Sequence, residues 1–150
     1  MRYTSAKSRP TFPFDADLEF KDAGLVAASA AATVDAAAKV VDLGTGFFSA
    51  TMVIDVTACE VASGNESYKI AVELSDDDDF SNGSEFEKCS VTLGDSSIHG
   101  GDTDTATGRY TLSFDNRMAD GNLYRYARVY TTVGGTVATG INFSAFAVPN

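Results

Sequence analysis

The chain has no tryptophan and no long run of apolar residues, although 44% of its residues are hydrophobic. A membrane-spanning helix needs about 20 consecutive apolar residues, so no transmembrane helix is expected. The segment Met1 to Pro10 also lacks the apolar region of a secretory signal peptide. We therefore expect a protein that is made and kept in the cytoplasm.

Histidine and cysteine are scarce as well. The single histidine, His99, lies in a polar loop, and one imidazole cannot form the multi-histidine metal site of cupin-like proteins. No Gly-x-Ser-x-Gly motif indicates a nucleophilic serine beside it. Cys59 and Cys89 are isolated within apolar alternation, without the CxxC spacing of metal or redox sites, and are predicted to be buried thiols. We predict no enzymatic activity, no metal site and no cofactor.

Positive charge is in short supply and unevenly placed. The chain has 11 Lys and Arg against 21 Asp and Glu, a net charge of −10 that argues against nucleic acid as a partner. The first fourteen residues contain three cations and no acid, so the remainder carries eight cations against 21 acids, or −13. A basic arm on an acidic body favours contact with an acidic neighbour, including a second copy, while a frayed terminus remains the alternative. The candidate interface residues of this arm are Arg2, Tyr3, Lys7, Arg9, Phe12 and Phe14.

The run Asp76 to Asp79 raises the question of calcium, which binds carboxylate oxygens. Adjacent acids point in different directions, and the spaced Asp-x-Asp-x-Asp-Gly pattern of a calcium loop is missing. An acidic, solvated turn is the preferred interpretation. Calcium stays open as an alternative, with Asp102 and Asp104 of the next loop as further ligands.

Alternation of apolar and polar residues is the dominant pattern of the chain. It predicts an all-β protein, an antiparallel eight-stranded jelly-roll sandwich over 18–150 preceded by an extended N-terminal arm over 1–17. The Ala-rich segment 27–38 lacks large apolar residues at helical spacing, so it is predicted to be mostly loop. The predicted strands are 18–22, 39–43, 51–58, 67–75, 85–93, 108–114, 123–132 and 136–148.

The stretch Leu123 to Val137 concentrates Tyr, Arg and β-branched residues. It predicts a long strand, a tight hairpin turn at Gly134-Gly135, and a second strand that folds back beside the first. Ala127 and Val129 are predicted to face the core. Tyr126, Arg128 and Tyr130 then share the other face and are candidate interface residues, because Tyr and Arg are enriched at interfaces. The alternative is a covered second face in which an arginine pairs with an acid.

Several segments, in order, resemble the phage capsid cement, or head decoration, proteins of the Bordetella-phage type. The similarity spans roughly residues 18–148, and the order of the motifs carries more weight than any one of them. The segments are Leu18 to Ala23, Val40 to Gly44, Leu74 to Asp77 with Phe80 and Ser81, and Arg125 to Val129 with Tyr130 to Gly135.

The resemblance implies a structural virion protein with a jelly-roll fold on the outer surface of the phage head. Its partners would be the major capsid protein and itself, as a homodimer or homotrimer, with no nucleic acid and no membrane. Repeated simultaneous contacts give such a subunit its affinity. The alternative is a soluble ligand-binding jelly roll, a carbohydrate-binding module or a tail or fibre domain; the lack of Trp lowers that alternative, although Tyr can line sugar sites.

Overall fold

The structure, a computed structural model, describes residues 11–83, 85–94 and 107–150. The described residues form eleven strands and one short 3-10 helix, so the all-β, antiparallel prediction is confirmed. The elements are the helix Ala16–Leu18 and strands β1 (Glu19–Val26), β2 (Ala30–Ala31), β3 (Thr33–Val34), β4 (Ala37–Ala38), β5 (Val41–Asp42), β6 (Ser49–Cys59), β7 (Ser67–Ser75), β8 (Phe86–Gly94), β9 (Gly108–Asp115), β10 (Tyr126–Gly134) and β11 (Ile141–Pro149). No helix in these ranges is long and apolar enough to cross a membrane.

Two antiparallel sheets contain the long strands. Sheet A has the order β1-β11-β6-β9, and sheet B has the order β2-β10-β7-β8. The short strand β5 also pairs with β10, so β2 and β5 lie along the same edge, one beyond the other. The third sheet is the β3–β4 hairpin between them, which turns at Asp35 and Ala36 with positive φ angles of 52° and 64°.

The inner faces of the two sheets share one hydrophobic core, which makes the fold a β-sandwich. Alternate residues of each long strand enter this core, and their partners on the same strand face outward. On β7 the predicted set Tyr68, Ile70, Val72 and Leu74 is buried as expected. The other main contributors are Phe20, Ala50, Met52, Ile54, Val56, Leu93, Phe114, Ala127, Val129, Ile141, Phe143, Ala145 and Ala147.

The predicted C-terminal hairpin is wrong. β10 ends at Gly134 and pairs with β7, whereas β11 begins only at Ile141 and pairs with β1 and β6 in the other sheet. Alternation determines which face a side chain occupies, but it does not determine which strand lies alongside. Gly135, with φ of 83°, begins a loop that carries the chain from sheet B to sheet A.

The predicted number of eight strands is not confirmed either. Strands β2, β3 and β4, each two residues long, lie within the segment 27–38 that was predicted to be mostly loop. The strand predicted over 123–132 corresponds to β10, which starts at Tyr126. Leu123 lies outside β10 and forms an isolated bridge with Arg117. Cys59 and Cys89 are half-buried rather than fully buried. Burial nevertheless raises the pKa of Cys89 to about 11.

Candidate interaction surfaces

The described part of the N-terminal arm lies on the outer face of sheet A. The Phe14 ring packs edge-on against Phe146 of β11, with centroids 5.5 Å apart. Phe12 lies 6.0 Å from the guanidinium of Arg109 on β9. The arm therefore crosses the sheet from the β9 edge, at Phe12, to β11, at Phe14. Phe146 is only 8% exposed although it faces outward, and Val53, its partner on β6, is fully buried.

The arm is therefore anchored to the body and still presents aromatic surface. Phe14 remains 59% exposed despite its contact with Phe146. Arg109, beside Phe12, forms a two-point ion pair with Asp55, with N–O distances of 2.7 and 2.8 Å. The other predicted arm residues, Arg2, Tyr3, Lys7 and Arg9, lie outside the described residues.

The outer face of β10 carries the other predicted interface residues. Ala127 and Val129 are fully buried in the core, and Tyr126, Arg128 and Tyr130 lie half-buried on the opposite face, so the predicted faces are confirmed. The Arg128 guanidinium donates to Glu73 at 2.8 Å. It also lies 4.3 Å from the Phe80 ring and 5.2 Å from the Tyr130 ring.

These contacts give Arg128 a structural role. Its charge is matched by Glu73, and the ring of Phe80 shields it from solvent, with both ion-pair side chains only 18% exposed. The arrangement corresponds to the alternative in which an arginine of this strand pairs with an acid. Tyr126 and Tyr130, half-buried on the same face, keep some exposed surface for a partner.

The acidic loop after β7 is ordered by its own backbone. One carboxylate oxygen from each of Asp77, Asp78 and Asp79 lies within 4.8 Å of the others, so these three acids do not point apart as the sequence predicted. One oxygen of Asp77 accepts hydrogen bonds from the backbone N–H groups of Ser81 and Asn82 at 3.2 and 3.1 Å. Such bonds close an acidic turn. His99, Asp102 and Asp104, which the sequence raised as possible site residues, lie outside the described residues.

Two glutamates at the opposite end of the sandwich bind backbone N–H groups. Glu60 accepts from Ala138, Thr139 and Gly140, which fixes the loop between β10 and β11, and these bonds lower the pKa of Glu60. Burial of Glu66 opposes its ionisation, but the surrounding N–H groups, including those of Ser63 and Asn65, outweigh that effect and lower its pKa. Sequence reasoning missed both, because Glu66 was marked only by its position after the Gly64-Asn65 turn and Glu60 had no local signal.

A groove of about 440 Å³ opens between β1 and the Ala-rich segment that follows it. Lys21 lines the groove, yet its side chain is almost entirely buried, and its ammonium donates to the carbonyl oxygens of Asp22 and Gly24 at 2.9 and 3.0 Å. Burial lowers the pKa of Lys21. The pairing register of β1 shifts between Lys21 and Gly24, so the ammonium satisfies carbonyl groups at this irregularity.

An exposed apolar surface lies at the end of the sandwich where β6 begins and β9 ends. Phe47, Phe86 and Leu123 are 56%, 39% and 40% exposed. Each is next to Arg117: the guanidinium lies 4.9 Å from the Phe47 ring, Leu123 pairs with the Arg117 backbone, and Phe86 lines a hollow of about 370 Å³ with Arg117 and Met118. We call Phe47, Phe86, Arg117, Met118, Asp120 and Leu123 the Arg117 surface.

The sequence did not reveal this surface because its residues come from three separate segments. Asn116 brings two of them together. Its buried side chain accepts from the Phe48 N–H at 2.8 Å and donates to the carbonyl oxygens of Gly46 and Tyr124, both at 2.9 Å. Phe47 and Arg117 each adjoin a residue of this network, so their backbone positions are fixed.

Comparison with known proteins identifies no function for these surfaces. No family model matches the chain. No curated protein gives a significant match to it.

Proposed function

We propose that the protein is a capsid cement subunit, a structural virion protein that binds the outside of a phage head and stabilises the lattice of major capsid proteins. The strand order is the observation that carries this proposal. When the short strands β2 and β5 are counted as one interrupted strand beside the seven long strands, the strand orders become 1-8-3-6 in sheet A and 2-7-4-5 in sheet B. On that count, the order supports a jelly roll made from two Greek keys, which is the fold that the family resemblance implies.

The positions of the resembling segments support the same proposal. Leu18 to Ala23 begins β1, and Val40 to Gly44 contains β5. Leu74 to Asp77 ends β7, and Arg125 to Gly135 contains β10. The motifs therefore lie at the strands and turns that set the sandwich geometry, in both sheets.

The exposed aromatic residues supply the contacts that a cement subunit needs. Phe14 on the arm lies on the outer face of sheet A, and Tyr126 and Tyr130 lie on the outer face of sheet B. A small oligomer repeats each of these surfaces. Simultaneous attachment at several points then turns modest contacts into strong binding through effective concentration.

A head-binding assay tests the proposal. Heads of the source phage that lack the protein are mixed with the full chain, and bound protein is measured by co-sedimentation. We expect saturable binding at a fixed ratio to the major capsid protein, and we expect deletion of residues 1–14 to weaken it. Absence of binding at micromolar concentration, with binding to an oligosaccharide panel instead, would establish the ligand-binding alternative.

A further inference from the structure

We infer that the Arg117 surface is where two copies of this chain pair about a two-fold axis. The inference rests on the proposed function, which calls for a small oligomer, and it names the surface that joins the copies. Apolar exposure is the first observation. Phe47, Phe86 and Leu123 are three of the five exposed large hydrophobic residues in the described chain, and all three adjoin one arginine. Clusters of this kind mark interaction sites.

The charges of the Arg117 surface are the second observation. Of the eight cations in the described residues, five form ion pairs with acids, and Lys21 is buried on backbone carbonyl groups. Lys21, Lys39 and Arg117 form no salt bridge with any acid in the described ranges, and of these three Lys21 alone is buried and bonded to backbone carbonyl groups. Arg117 is thus an exposed cation held over the Phe47 ring on an otherwise acidic protein.

The hairpin from Arg117 to Leu123, closed by the bridge between these two residues, also carries an exposed acid. Asp120 lies at its tip and accepts from the N–H and side-chain amide of Asn122 at 3.0 and 2.7 Å. A surface that combines a cation, an anion and exposed apolar residues can be complementary to a second copy of itself. A two-fold axis through such a surface places Arg117 of each copy against Asp120 of the other.

The hairpin is rigid, which lowers the entropy lost on pairing. Met118 donates its N–H to the Asn122 carbonyl and accepts from Gly121, both at 2.9 Å. The Lys88 ammonium bonds the Arg117 carbonyl at 2.6 Å and the Asp115 carboxylate at 2.9 Å. The Arg117 surface is therefore formed before any partner binds.

The size of the surface sets the expected affinity. A standard interface covers roughly 800 Å² on each partner, which is more than three half-exposed apolar side chains supply. Adjoining loop residues must contribute the rest, and much of their contact is polar. We therefore expect a dimer with a dissociation constant in the micromolar range.

Charge reversal tests the pairing with the full chain. Sedimentation equilibrium at protein concentrations from about 1 to 100 µM and near-physiological salt gives the dimer dissociation constant. We expect R117E and D120K each to raise it at least about tenfold. The double variant R117E/D120K, in which the two charges are exchanged, should return to within about threefold of the natural protein. The matched control is K39E, the same reversal at the other unpaired cation, which should leave the constant unchanged.

Three results overturn the inference: a wild-type monomer at 100 µM, an oligomer that R117E leaves intact, or a double variant as weak as either single variant. Head binding is measured separately on the same variants. Loss of head binding by R117E, with a monomeric wild-type protein, means that the surface faces the capsid and not a second copy. Conversely, a dimer that responds as expected but binds no heads refutes the proposed function and leaves the inference standing.

Discussion

Asn116 is the residue on which the loops at one end of the sandwich depend. Its side chain makes three hydrogen bonds inside the protein, to Gly46, Phe48 and Tyr124, and it has no exposed surface. Buried polar groups that lose a partner cost far more than exposed ones. An asparagine between β9 and a turn looks unremarkable in the sequence, because two of its three partners lie about 70 residues away.

Replacing Asn116 with Ala should therefore destabilise the protein strongly. We expect the free energy of unfolding to fall by about 2–4 kcal/mol, because two carbonyl groups and one N–H group lose their partner. Urea denaturation followed by circular dichroism measures the change. The control N122A removes an exposed turn asparagine, and a similar loss for both variants would contradict the role assigned to Asn116.

Glu60 and Glu66 make the stability of the folded protein depend on pH in the acidic range. Both pKa values lie below the ordinary 4.5 in the folded protein, so unfolding is accompanied by proton uptake at low pH. Their contribution is complete above about pH 4.5 and is lost as the pH falls through the folded pKa values. We expect the melting temperature to decline from pH 5 to pH 3 and to decline less steeply in E60Q. An equal slope in both proteins would show that the Glu60 contacts do not form.

Arg128 shows what the sequence predicts about a single residue and what it does not. Alternation with Ala127 and Val129 placed its side chain on the outer face, as the structure has it. Its pairing with Glu73 depends on the register between β10 and β7, and the shielding by Phe80 depends on the path of the next loop. Neither is encoded in local periodicity.

At the scale of elements, the positions of the four strands β6 to β9 were predictable, whereas the start of β11, the short strands β2 to β4 and the neighbours of each strand were not. β7 spans the predicted 67–75, and β6, β8 and β9 differ from prediction by two residues or fewer at each end. Period-2 alternation is a local property, so it can be recognised in the sequence without knowledge of the fold. The partner of each strand depends on loops such as 135–140, whose path is determined by tertiary contacts with Glu60.

Gly135 is the residue that this loop requires. A Cβ atom there would lie far inside contact distance of the Asn65 carbonyl group, whereas at Gly44, which has the same φ of 83°, nothing lies within 4 Å. G44A should cost only the left-handed backbone penalty of about 1–2 kcal/mol, and G135A should cost at least about twice as much. Chemical denaturation compares them, and equal losses would mean that the Asn65 backbone moves freely.

The arm should contribute modestly to stability through Phe14. We expect F14A to lower the free energy of unfolding by about 0.5–1.5 kcal/mol, because an edge-to-face ring pair with Phe146 is lost. L25A is the matched control, since Leu25 is similarly exposed at 61%; a surface residue of this kind should change stability by less than about 0.5 kcal/mol. Equal effects would indicate that the arm does not rest on sheet A.

At the scale of the whole molecule, the sequence predicted the class of fold from composition and alternation. The two-sheet arrangement and its core confirm the sandwich. The end surface around Arg117 was beyond sequence reasoning, because residues 47, 86, 117 and 123 become neighbours only when both sheets have formed. Sequence periodicity describes faces of strands, whereas this surface belongs to the ends of several strands at once.

The position of β11 has a consequence for synthesis. It is the last described strand that a ribosome makes, yet it lies between β1 and β6 inside sheet A. Until residues 141–149 emerge, β1 has no partner in its sheet and β6 has only one. We therefore expect sheet A, and with it the core that the two sheets share, to be completed only after residues 141–149 have been synthesised.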